Sequence, residues 1–250
     1  MMKKFLQISA LTIAGLLVGF GCYYKYADKN TNNPIEYAYN YLSKEEQNTW
    51  AYLNAFDINK ALLEAKATEL EPDHIRRQNE KAHSTTELSE KTQKLAAEVL
   101  ASCGIDPASI KIVATERDCA ACASETTLLI NEKLLNSYSR NAQLFILAHE
   151  TQHIIYKDYL HISALEAILA DKNLSYQINS FNDPLNYYSR FCEFRADANA
   201  ALKGGPFAQG YLEFTQASLN EGEQAEPNHP SDNDRFALAQ EIHSAMQTTA

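Results

Sequence analysis

The stretch that decides the fold is Leu144-Phe145-Ile146-Leu147-Ala148-His149-Glu150-Thr151-Gln152-His153-Ile154-Ile155. Two histidines that are four residues apart project from the same face of a helix, so both imidazoles can reach one metal ion. Glu150 follows the first histidine and would lie beside the open coordination position of that ion. The apolar flanks predict a buried helix, which fits a catalytic zinc helix and also fits two core histidines bonded to backbone carbonyls.

A third ligand is needed, because catalytic zinc keeps three protein ligands and one open position. If residues 191–197 are helical, Glu193 and Asp197 lie on one face, four residues apart. Glu193 can then bind the metal, and Asp197 can accept the free imidazole N–H of a ligand histidine. We therefore predict one Zn²⁺ per chain, held by His149, His153 and Glu193. Glu150 is the predicted general base, which takes a proton from the water that zinc activates and returns it to the leaving amine.

Three motifs together resemble those of the M48 metallopeptidases, the family of the CAAX prenyl protease and HtpX. They are His149 to His153, Glu193-Phe194-Arg195-Ala196-Asp197, and His229-Pro230-Ser231-Asp232-Asn233-Asp234-Arg235. The resemblance covers roughly residues 110–239 and implies an α+β fold of the zincin-like (gluzincin) kind, mostly helical with a small sheet. It also implies that His229 stabilises the oxyanion of the tetrahedral intermediate. Arg235 is expected to anchor its loop through an ion pair with Asp197 or another carboxylate.

The resemblance implies a protein or peptide substrate but leaves its identity open. Many relatives carry an Asn-Ala pair before the edge strand, where this chain has Asp118-Cys119-Ala120-Ala121-Cys122-Ala123. In the family that edge strand receives extended substrate by strand addition. The expected reaction is therefore endopeptidase cleavage of extended or misfolded protein segments, without a covalent intermediate. The alternatives are a chaperone-like or protein-binding module that keeps a zincin fold with little or latent cleavage, and a structural zinc.

Four regions follow one another along the chain. We expect an N-terminal signal or anchor segment at 1–24, a linker at 25–34, a helical extension at 35–105 and the M48-like metallopeptidase domain at 106–250. Capping-box patterns at Ser43 and Ser84 predict helices near 44–56 and 85–102. Strands are predicted at 110–113 and 126–130. A last helix is predicted to start at Ser231.

The N-terminus indicates export. Lys3 and Lys4 precede a run without charge from Phe5 to Tyr24, a pattern of membrane anchors and of secretory signals. Three interpretations remain open: an uncleaved anchor, a cleaved signal that yields a secreted form, and a lipoprotein signal that places a lipid on Cys22. In each, the catalytic domain lies outside the cytoplasm, in a bacterial periplasm or cell envelope, and in the first and third it is tethered to the membrane.

The cysteines and the net charge limit the possible cross-links and binding partners of the chain. Cys103, Cys119, Cys122 and Cys192 follow the N-terminal segment and allow three pairings. Cys119 and Cys122 have the spacing of a redox or metal knuckle, and a disulfide or two thiols are both compatible with the sequence. The chain has 22 Lys+Arg against 32 Asp+Glu, a net charge of −10. This excess repels phosphate backbones, so no nucleic-acid partner is expected. The oligomeric state is left open.

Overall fold

A computed structural model describes residues 33–44, 47, 63–71, 87–170, 183–222 and 227–248. The N-terminal segment, nearly all of the 25–34 linker, Cys22 and most of the helix expected near 44–56 lie outside the described residues. Within those ranges, no helix has the length and apolar character required to cross a membrane. The expectations of a tether and of lipidation therefore stay predictions.

The described chain is mostly helical with one small sheet, which confirms the predicted α+β class. The helices are α1 (Pro34–Tyr41), α2 (Glu90–Ser102), α3 (Glu132–Leu135), α4 (Arg140–Tyr156), α5 (Asp158–Ala170), α6 (Pro184–Ala201), α7 (Pro206–Glu221) and α8 (Asp232–Thr248). Residues 63–71 are helical as well, and a 3-10 turn spans Pro107–Ser109. The strands are β1 (Lys111–Ala114), β2 (Ala121–Ser124) and β3 (Thr127–Ile130).

The sheet has the order β1-β3-β2, with β1 parallel to β3 and β2 antiparallel to it. Leu128 lies opposite Ile112 on one side and Ala123 on the other. Both predicted strands are present, each beginning one residue later than expected. The family resemblance places residues 118–123 before the edge strand. In the structure the edge strand β2 already begins at Ala121, within this segment.

Two predicted helix starts have different outcomes. The prediction that a helix begins after Ser84 is wrong, because residues 87–89 are not helical and Ser89 is the N-cap of α2. Glu132 of α3 stabilises this start by accepting the Ser89 backbone N–H at 3.1 Å. The prediction of a helix start at Ser231 is confirmed: its hydroxyl accepts the Asp234 backbone N–H at 3.1 Å.

Helix α4 lies at the centre of the core, with apolar side chains buried around most of its circumference, as expected for an interior helix. It packs against α7, α6, α2 and strand β2. At Gly210 of α7 the backbones of α7 and α4 come into close contact, because an added Cβ there would lie 2.0 Å from the carbonyl oxygen of Asn141. Only glycine allows the two helix backbones to come so close, and this contact fixes α7 against the histidine-bearing helix.

Candidate metal centre

His149, His153 and Glu193 come together in one buried cluster, and one ligand atom from each lies within 4.8 Å of the others. The Nε2 atoms of the two histidines are 3.0 Å apart. Glu193 reaches both of them from α6, with Oε2 3.3 Å from His149 Nε2 and Oε1 3.5 Å from His153 Nε2. This group can hold a metal ion.

The donor set fits zinc. Ligand atoms that lie 2.0–2.1 Å from a tetrahedral zinc stand about 3.3 Å from one another. The three separations of 3.0, 3.3 and 3.5 Å fall on either side of this value. Two imidazole nitrogens and one carboxylate oxygen are also a donor combination used by catalytic zinc sites.

Asp197 orients His149. Its Oδ1 lies 2.7 Å from His149 Nδ1, the nitrogen that points away from the ligand cluster. Arg235 binds the same carboxylate with two hydrogen bonds, from Nε at 2.8 Å and from Nη2 at 2.7 Å. Tyr211 of α7 donates its hydroxyl to Asp197 Oδ2 at 2.8 Å. The predicted neighbours of the site, Asp197 and Arg235, therefore lie together, and Tyr211 is a partner that the motifs do not contain.

Asp158 orients His153 as Asp197 orients His149, and it is not among the site residues predicted from the sequence. Helix α4 ends at Tyr156, and its C-cap Lys157 has a φ of 52° in the left-handed region, so that α5 can begin at Asp158. This turn brings the Asp158 carboxylate back to His153, where Oδ2 lies 2.9 Å from Nδ1. Arg195 donates to the other oxygen of Asp158, and its guanidinium stacks 4.0 Å from the ring centroid of Tyr156. The only sequence signal was an acid five residues beyond the second histidine.

The carboxylates around the histidines set their protonation. Burial lowers the pKa of His149, but Asp197 and Glu193 outweigh it and raise the value to about 10. Burial likewise opposes the charged form of His153, and Glu193 and Asp158 again raise its pKa. The carboxylates therefore favour the protonated form of His149 in the metal-free site, and a bound metal ion has to displace that proton.

Glu150 and Glu193 are two carboxylates with opposite shifts. Burial raises the pKa of Glu150, and the charge of Glu193 adds to the effect. For Glu193 burial acts in the same direction, but His153 and His149 outweigh it and hold the pKa well below its usual range. Glu193 is thus a permanent anion, and Glu150 is a stronger base than a free glutamate. Environments that separate two such pKa values indicate different chemical roles.

Glu150 is positioned between the metal ligands and the edge of the sheet. Its Oε1 lies 3.9 Å from His149 Nε2. Its carboxylate also accepts a hydrogen bond from the backbone N–H of Ala123 in β2. The edge strand β2 and the predicted base are therefore in direct contact.

His229 lies at the same cluster, with Nδ1 3.6 Å from Glu193 Oε2. Its side chain is 43% exposed, so it faces the solvent side of the site while the other two histidines are buried. Tyr159, the second residue of α5, is also exposed for a large aromatic. Partial desolvation beside the site and the charges of Glu150 and Glu193 raise its pKa, so its phenol stays a hydrogen-bond donor. No motif in the sequence marks Tyr159 as part of the site.

Cys119 and Cys122 form a disulfide, so of the two forms that the sequence allowed, the structure contains the bonded one. Cys103 and Cys192 are free thiols. The disulfide closes the loop that leads into β2, the strand that packs against α4.

Comparisons with known protein families, with characterised proteins and with solved structures find no match for this chain. The geometry of the centre and the three motifs are therefore the basis on which its chemistry is interpreted.

Proposed function

We propose that this chain is a zinc-dependent endopeptidase of the gluzincin type, related to the M48 family, that hydrolyses peptide bonds in extended or misfolded protein segments. One observation carries the proposal. Three ligand atoms converge at separations of 3.0, 3.3 and 3.5 Å, and the Glu150 carboxylate lies 3.9 Å from one of them. A purely structural zinc site would have a fourth protein ligand in place of an adjacent base.

His149, His153 and Glu193 would hold the metal. When bound, zinc supplies a Lewis acid that polarises the scissile carbonyl and lowers the pKa of water to about 7. Asp197 lies 2.7 Å from Nδ1 of His149, and Asp158 lies 2.9 Å from Nδ1 of His153. Each carboxylate thereby orients one imidazole so that its Nε2 faces the metal. Arg235 and Arg195 neutralise these two buried acids.

Glu150 acts as the base. It takes a proton from the attacking water and delivers it to the leaving amine, and its raised pKa makes it a stronger proton acceptor than a free glutamate. His229, beside Glu193 and partly open to solvent, donates to the oxygen that becomes negative during attack. Such a donor contributes about 3–4 kcal/mol to the stability of the transition state.

The substrate class is argued from β2. This strand has a neighbour on one side only within the described sheet, so its other edge offers backbone groups to an added strand. Only extended peptide can pair in this way. Residues 1–24 are expected to export the chain and to tether it to the membrane. An enzyme held in this way would cleave proteins outside the cytoplasm.

The test compares metal content and cleavage in the full chain, purified in detergent. We expect about one zinc per chain in the wild type and in Glu150→Gln, and none in His149→Ala. Cleavage of an unfolded protein should fall about 10²- to 10⁴-fold in Glu150→Gln, because general-base catalysis contributes that much.

Glu166→Gln is the matched control, since it makes the same change at an exposed position of α5. It should cleave like the wild type. Equal cleavage by Glu150→Gln and by this control would refute the peptidase assignment. A folded wild type that takes up no zinc on reconstitution would refute the metal centre itself.

A further inference from the structure

The Cys119–Cys122 disulfide has no part in the chemistry proposed above, yet it lies next to it. Both cysteines are half-buried, so a small reductant in solution can reach the bond. A disulfide that a reductant can reach is more easily reduced than one that the fold protects completely. Reduction of this bond would therefore act on a segment that lies beside the proposed base.

The disulfide is connected to the base through two consecutive residues. Cys122 belongs to β2 and lies opposite Leu129 of β3. The next residue, Ala123, donates its backbone N–H to the Glu150 carboxylate. The cross-link therefore constrains the strand at the position just before the one that orients Glu150.

Other contacts would hold the loop in place after reduction. The backbone N–H of Asn131 donates to the Ala120 carbonyl at 3.1 Å, and the Asn131 side chain donates to the Arg117 carbonyl at 2.8 Å. None of these bonds involves a sulfur atom, so reduction would loosen residues 119–122 without detaching them. The metal ligands on α4 and α6 have no bond to this loop among the described contacts.

We propose that the Cys119–Cys122 disulfide is a redox control of the site: when oxidised it holds β2 in position to orient Glu150 and bind substrate, and when reduced it loosens the start of that strand. This inference rests on the proposed peptidase function. A dithiol reductant supplies the electrons. Its thiolate attacks one sulfur and breaks the S–S bond, and the displaced thiolate takes a proton. The second thiol of the reductant then resolves the mixed disulfide, which leaves two protein thiols and an oxidised dithiol.

The expected effect is on turnover, with the metal retained. We expect reduction to lower kcat about tenfold, because misplacing a catalytic group by about 1 Å costs up to roughly 10²-fold. Amide hydrogen exchange in residues 121–124 should become faster, since the strand loses a constraint. Zinc content should be unchanged.

The experiment titrates the full-length protein across a series of ratios of reduced to oxidised dithiothreitol. At each ratio kcat, zinc content and the fraction of alkylated Cys119 and Cys122 are measured. The loss of kcat should follow the reduced fraction and reverse on reoxidation. The double variant Cys119→Ser/Cys122→Ser should have the low kcat at every ratio. Cys103→Ser, which removes a free thiol, should behave like the wild type.

A wild-type kcat that is the same in the reduced and oxidised protein would overturn the inference, and this result does not depend on the folding of any variant. An equal loss of kcat in Cys119→Ser/Cys122→Ser on adding reductant would overturn it too. Hydrogen exchange separates this inference from the proposed function. If the zinc-loaded wild type cleaves nothing, the peptidase proposal fails, and hydrogen exchange in residues 121–124 still decides whether reduction loosens the strand.

Discussion

Replacing Asp158 by asparagine tests how the second histidine is held. The carboxylate is fully buried between His153, 2.9 Å from its Oδ2, and the guanidinium of Arg195. Burial works against its charge, but these two partners outweigh it and keep its pKa below the usual range. Asparagine has the same shape and no charge, so the variant removes the ion pair with little change in packing.

Two separate losses are expected. Removing a partner that orients a ligand histidine costs about 10- to 100-fold in metal affinity, or about 1.4–2.7 kcal/mol. Arg195 would also remain buried without its counter-ion, and an uncompensated buried charge costs about 3–5 kcal/mol of folding stability. We therefore expect Asp158→Asn to bind zinc more weakly and also to unfold at lower denaturant concentration.

A second variant separates these two effects. Asp158→Asn/Arg195→Met removes the unpaired charge, so most of the folding stability should return while zinc affinity stays low. Zinc affinity is measured by competition with a chromophoric chelator, and stability by urea unfolding of the metal-free proteins. If Asp158→Asn binds zinc within about twofold of the wild type, the contact between Asp158 and His153 does not orient the ligand, and the reasoning is refuted.

Two further predictions concern the metal-free protein and the contact between helices α4 and α7. Without zinc, the free energy of unfolding should be larger at pH 6.5 than near pH 9.5. The folded-state pKa of His149, about 10, lies above its unfolded value, so this stabilisation is complete below about pH 6.5 and is lost as the pH rises toward 10. The pKa of His153 is shifted the same way. Urea unfolding in chelator checks this, and greater stability at the higher pH would contradict it. Gly210→Ala should cost about 1–3 kcal/mol or more, because the new methyl would lie 2.0 Å from the Asn141 carbonyl. An unchanged Tm in thermal unfolding would contradict this second expectation.

The sequence predicted the parts of the centre that depend on local geometry. Two histidines at i and i+4 share a helix face whatever the rest of the fold, so their convergence follows once the segment is helical. The same holds for Glu193 and Asp197 on α6. The link between Arg235 and Asp197 was an expectation from motif resemblance, and the structure contains that ion pair.

Other features depended on tertiary structure that no spacing reveals. Tyr211 reaches Asp197 because Gly210 lets α7 approach α4, and nothing near Tyr211 in the sequence marks it as part of the site. The start of α2 was misplaced for a related reason. Ser84 and Ser89 both precede helix-forming residues, and the contact of Ser89 with Glu132, 43 residues away, favours the second one.

The carboxylates that orient His149 and His153 come from different parts of the chain, so the two contacts depend differently on how the helices pack. Asp158 follows His153 by five residues, so its contact forms as soon as α4 and α5 fold around Lys157. The support of His149 joins α4, α6 and α8, because Asp197 is itself held by Arg235. The contact that supports His153 is therefore formed by residues close in sequence. The contacts that support His149 are complete only when α8 has packed against α6. Metal affinity should accordingly report on the packing of the whole domain through His149, because loosening α8 would remove the Arg235 partner of Asp197 while the arrangement of Asp158 and His153 remains intact.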